Sequence, residues 1–125
     1  MTVLCLFIIQ DIILDHILRK YISATPFLKL KKIKVQELLS HRIISVCDII
    51  IIEPDFLEND SFYLIKQNIS KKPTIFISDN NNLSEIYGHK NAVYLKKTFS
   101  YLDFINGMSL LIDNQNVESV SNFYT

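Results

Sequence analysis

Short, unbroken apolar runs rich in β-branched residues alternate along this chain with longer stretches in which apolar residues recur every three or four positions. That alternation leaves few architectures open. Runs such as TVLCLFII near the N-terminus and DIIII in the middle are apolar at almost every position, which suits strands covered on both faces rather than strands with one wet side. Strands are expected at Thr2–Ile9, Phe27–Ile33, Asp48–Glu53, Pro73–Ser78 and Ala92–Leu95. Helices are expected at Ile12–Ser23, Val35–Arg42, Glu58–Ile69, Leu83–Tyr87 and Tyr101–Asp113, with Ser100 able to cap the last and Asp79 to Asn82 reading as a loop. Strict β–α alternation implies parallel strands joined by right-handed crossovers, with helices on both faces. The fold class is therefore α/β, a doubly wound five-stranded parallel sheet in the order 2-1-3-4-5. Leu4, Leu6, Ile50, Ile52 and Ile75 belong to its core.

The 125 residues suit one domain, taken as residues 1–113. The polar stretch 114–125 lacks an apolar period and reads as a C-terminal tail or linker. Lysine plus arginine equal aspartate plus glutamate at 13 each, so no overall basic field exists to hold nucleic acid. A local basic run, Lys29, Lys31, Lys32 and Lys34, reads as a solvated face beside an acidic run, Glu53, Asp55, Glu58 and Asp60. Cys5 and Cys47 lie in apolar runs without metal-ligand spacing, and His16, His41 and His89 fall on different elements. The first apolar run is too short to span a bilayer and lacks a basic leader, so a cytoplasmic location with no membrane contact is expected. With only two glycines in the chain, no GxGxxG, Walker or GxSxG motif occurs.

In doubly wound sheets ligands gather at the carboxyl ends of the strands. Here those ends carry Gln10, Asp11, Glu53, Ser78 and Lys97. Two carboxylates, a hydroxyl and an ammonium converging at one edge could bind a divalent cation and an anionic group.

The order and spacing of these residues resemble response-regulator receiver domains, the CheY-like superfamily with its flavodoxin-like fold, from Val3 to about Ile112. In that family an acidic pair follows the first strand, a phosphorylated aspartate ends the third, a Ser or Thr ends the fourth, and Lys-Pro follows the fifth. The resemblance assigns Gln10 and Asp11 to the acidic pair, Glu53 to the phosphoacceptor position, Ser78 and Lys97 to the phosphate contacts, and Tyr94 to the switch aromatic. The segment EPDFLENDS matches the loop after the phosphoacceptor, with Asp60–Ser61 in place of Asp-Gly.

Three departures stand out. Glu53 is one methylene longer than aspartate, which misplaces a nucleophile whose reaction depends on alignment. Gln10 removes one carboxylate, leaving Asp11, Glu53 and the Asp55 backbone carbonyl as weak or vestigial ligands for Mg2+. Thr98 replaces the proline, and a non-proline cis bond costs about 2.5–4 kcal/mol, so a trans bond is expected. Glu53 then has two readings: a stand-in for a phosphorylated aspartate, or an ion-pair partner of Lys97.

The resemblance implies two-component signal transduction by an atypical, non-enzymatic pseudo-receiver. It would act by phosphate-independent binding of a protein partner or a second copy through the face of the fourth helix, fifth strand and fifth helix, with Tyr94, Tyr101 and Phe104 as interface candidates. The alternative is a working phosphorelay receiver, phosphorylated by a histidine kinase at Glu53 or Asp55. A small-molecule-binding α/β module ranks third, since no nucleophile–base pair is evident.

Overall fold

A computed structural model describes residues 2–39, 41–57 and 59–124, without the side chains of 38, 39, 41, 59–62 and 114–124. Glu58 and the side chains of His41, Asp60 and Ser61 therefore lie outside the described residues. The elements run β1 (Val3–Ile8), α1 (Ile12–Ser23), β2 (Leu28–Lys32), α2 (His41–Val46), β3 (Ile49–Ile52), α3 (Asn59–Ile69), β4 (Thr74–Ile77), α4 (Leu83–Tyr87), β5 (Ala92–Leu95) and α5 (Tyr101–Tyr124). All strands pair in parallel in the order β2-β1-β3-β4-β5, as the pattern of alternation requires.

Because successive strand residues point to opposite faces, each apolar run feeds two cores. Cys5, Phe7, Ile49, Ile51, Ile75 and Ile77 pack with Leu14 and Leu18 of α1 and with Phe104, Met108 and Leu111 of α5. Leu6, Ile8, Ile50, Ile52 and Phe76 pack with Ile44 of α2, Ile65 and Ile69 of α3, and Leu83 and Tyr87 of α4. Of the expected core residues, Leu6, Ile50, Ile52 and Ile75 are wholly buried. Leu4 is only half-buried, and the α2 helix on its side of the sheet is just six residues long.

The central strands β3 and β4 are fully enclosed and β1 is enclosed save for Leu4, whereas β2 is an edge strand that exposes Lys29, Lys31 and Lys32. Its end is tied to α1 by Asp15, which pairs with Arg19 one turn on and with Lys32. Burial pushes the Asp15 carboxyl up, but the bonds from Lys32 and Arg19 outweigh it and hold the carboxyl below its usual range. Both thiols are buried, and burial pushes Cys5 up to about 12, which keeps it protonated and inert.

Two expectations need correction. The second helical segment begins as a 3-10 turn over Val35–Leu39 and becomes α-helical only at His41–Val46, displaced from the expected Val35–Arg42. The fifth helix continues past Asp113 to Tyr124, through residues read as an irregular tail. Residues 114–124 contain no glycine or proline to stop it, and extending an existing helix costs far less than starting one. Among the described residues no helix is long and apolar enough to cross a membrane.

Phe104 is wholly buried against Tyr21 and Phe99 rather than exposed for a partner. The amphipathic period of α5 turns Phe104, Met108 and Leu111 inward and leaves Leu102 and Leu110 in solvent. Gly107 lets that helix approach β5 closely, since a Cβ there would stand 2.9 Å from Val93 Cγ1. Truncating Phe104 to Ala is expected to cost about 3–5 kcal/mol, and Leu102→Ala no more than about 0.5 kcal/mol. Urea unfolding of the two variants measures the difference, and equal losses would contradict this facing of α5.

Candidate functional site

The strand ends gather the expected groups at the carboxyl edge of the sheet. Glu53 leaves β3 with extended backbone and is 4% exposed. Its longer side chain folds back across the sheet, so that Oε1 accepts hydrogen bonds from the backbone N–H of Gln10 (2.9 Å) and Asp11 (3.0 Å). Oε2 meets the Lys97 ammonium at 3.0 Å. One carboxylate thus joins the β1–α1 loop, β3 and the β5–α5 loop, and Glu53 forms an ion pair with Lys97.

Asp11 faces a different way. It is the N-cap of α1, and its Oδ1 accepts from the N–H of Ile13 (2.9 Å) and Leu14 (3.2 Å). Asp residues are favoured there because a short carboxylate satisfies helix N–H groups that otherwise lack partners. Gln10 is exposed and contributes its backbone N–H alone to Glu53.

Asp55, expected to offer its carbonyl to a metal or its carboxylate as an alternative phosphoacceptor, brings its side chain into the site. It sits on the 3-10 turn Pro54–Phe56, where Oδ2 lies 3.1 Å from Lys97 Nζ and Oδ1 accepts the Ser78 hydroxyl proton. Ser78, itself buried, also accepts from the Asn80 N–H at 3.0 Å. Asp79, which sequence reasoning left in a loop, accepts the Lys97 backbone N–H at 3.1 Å. An Asp immediately after a strand-ending Ser is a weak signal, and only the register of β4 against β5 brings it to Lys97.

Lys97 is accordingly the hub. Hydrogen bonds to Glu53 first and Asp55 second raise its pKa well above the ordinary lysine value, despite the opposing effect of burial. Lys96 is exposed. The Lys97–Thr98 bond is trans, as is every described peptide bond. Tyr94 is 37% exposed, and its ring stacks on Phe76 with centroids 5.2 Å apart. Tyr101 is half-buried, bonded to Thr25 through its hydroxyl at 2.8 Å and set edge-on to Tyr21.

These residues do not fit Mg2+. That ion demands near-octahedral oxygen coordination with carboxylate charge turned toward it, yet both oxygens of Glu53 and Asp55 are engaged and Asp11 caps its helix. Among the described residues no group of three or more His, Cys, Asp or Glu is arranged to hold a metal ion. A proton or phosphate entering here meets an assembled ion pair rather than an open acidic pocket.

Replacing Lys97 by Met leaves the buried Glu53 carboxylate without its cation and is expected to cost about 1.5–3 kcal/mol, the worth of a hydrogen bond to a charged group. A lysine whose folded pKa is raised contributes stability that is fully present below its unfolded value, about 10.4, and is lost as pH rises through the folded one. Denaturant titrations should therefore show a constant gap between wild type and Lys97→Met from neutral pH to about 10. The gap should narrow only in stronger alkali; narrowing between pH 7 and 9 would contradict the assignment.

No family model and no curated protein matches this chain. Among solved structures, the crystal structure of a response regulator CheY-like protein from Mesorhizobium loti superposes with a TM-score of 0.70 at 13% identity. The match covers 89% of this chain and 99% of that one. With the sheet order and the placement of helices, it shows that the chain has the flavodoxin-like fold of a response-regulator receiver domain.

Proposed function

We propose that this chain is an atypical receiver module of two-component-type signalling that works without accepting phosphate, through binding of a protein partner or a second copy. The observation that carries the reading is the internal satisfaction of Glu53. Its carboxylate is bonded on one oxygen to two backbone N–H groups and on the other to Lys97. A nucleophilic carboxylate needs an accessible lone pair aligned on phosphorus, and Glu53 is 4% exposed with three donors on its roughly four lone-pair sites. Asp11 turns its Oδ1 to the N–H groups of the α1 N-terminus.

For the interacting surface, α4, β5 and α5 present Ile86, Tyr94, Leu102 and Leu110 with at least a third of each exposed. These replace Phe104 among the candidates, and Tyr101 contributes only its exposed edge. Aromatic and aliphatic anchors of this kind are favoured at interfaces.

One observation favours a second reading, in which the chain is phosphorylated on Asp55. Its side chain is 38% exposed and already touches both Lys97 and Ser78. Incubation of the full chain with acetyl phosphate and Mg2+, followed by intact-mass measurement, distinguishes the two. The expected outcome is no phosphoryl adduct on the wild type. Stable phosphorylation mapped to Glu53 or Asp55 overturns the proposal, and mapped to Asp55 it establishes the second reading.

A further inference from the structure

Asp55 belongs to no strand, yet its carboxylate spans two other loops. Through Oδ1 it holds Ser78, whose hydroxyl oxygen in turn fixes the Asn80 N–H on the way into α4. Through Oδ2 it holds Lys97, whose own N–H is tied to Asp79. The turn after β3, the loop into α4 and the loop into α5 therefore meet at one side chain.

We propose that Asp55 is a latch: its carboxylate fixes the β4–α4 and β5–α5 loops against each other, and loss of its bonds to Ser78 and Lys97 releases α4. Three features of α4 make it the element to respond. At five residues it is far too short to persist alone. Its N-cap, Asn82, makes no side-chain bond to the helix, and its other end stops at Gly88 in the left-handed conformation. Only Leu83 and Tyr87 are buried, on the Phe76 side of the sheet.

Glu53 cannot substitute for the latch. It shares Lys97 but is bound to the Gln10 and Asp11 backbone and makes no bond to Ser78 or Asn80. Asp55 is the partly exposed member of the pair, with its side chain 38% accessible against 5% for Glu53, so it is the one that can be drawn away from outside. A groove of about 480 Å3 lies beside it, walled by Pro54 and Leu57 on one side and by Leu83, Ile86 and Tyr87 of α4 on the other. Release of α4 moves one wall of that groove, which gives the module a means of altering its surface without a covalent phosphate. In its biological use the latch rests on the signalling reading above, whereas its mechanics are the same whether or not the chain takes phosphate.

Hydrogen exchange of the full chain at neutral pH, followed by mass spectrometry, tests this with wild type, Asp55→Asn, Ser78→Ala and the double variant. In Asp55→Asn the amides of 79–87 and 97–100 are expected to exchange about ten- to a hundredfold faster, the effect of weakening hydrogen bonds to a charged group. Amides of β1 and β3 should keep their protection. Ser78→Ala should loosen 79–87 alone, and the double variant should match Asp55→Asn, since both changes break one path. Unchanged exchange over 79–87 in Asp55→Asn overturns the latch, as do additive effects in the double variant or a loss of protection throughout the chain. Phosphoryl labelling is scored separately by intact mass, so a labelled chain with the expected exchange pattern refutes the phosphate-free reading and leaves the latch standing.

Discussion

A single buried carboxylate organises the carboxyl edge of this sheet. Glu53 reaches both the backbone of the β1–α1 loop and the Lys97 ammonium because it has one methylene more than aspartate. A carboxylate at 4% exposure without such partners would be strongly disfavoured. With them it holds three chain segments in register. Everything else at that edge follows from this commitment: Lys97 is fixed, Asp55 shares its charge, and Asp11 is left to cap α1.

The fold and the polar edge of the sheet rest on different residues. Strand order and core packing depend on apolar residues that face inward on both sides of the sheet, and none of those is a site residue. The two layers of information are nearly independent. The architecture is therefore shared with a solved CheY-like protein at only 13% identity.

Much of the architecture was legible in the sequence because period and β-branching report directly on burial. IIII at β3 and TIFI at β4 admit only strands enclosed on both faces. Weaker signals misled. The segment around Val35–Leu39 has the composition of a helix but forms a 3-10 turn, and the polar residues after Asp113 stay helical for want of a stop. At the site, the identities Glu53, Ser78 and Lys97 could be read from strand ends, as could their meeting. Their partners could not. Whether Asp55 offers a carbonyl or a carboxylate depends on the turn that begins at Pro54, and whether Asp11 faces the site or its own helix depends on a backbone angle. Phe104 shows the same limit: an aromatic near a helix start has no side until the helix is rotated onto the sheet.

The lysines of β2 acquire a meaning from their position at the border of the sheet. An uncovered edge strand offers unpaired N–H and C=O groups as a template for another chain, and positive charge along it is a common safeguard. Lys29, Lys31 and Lys32 stand on that border, so two copies brought edge to edge would confront like charges at close range. The other border, β5, is only four residues long and carries exposed Tyr94 beside Lys96. Extension of one sheet into the next, the route to open-ended fibres, is thereby disfavoured.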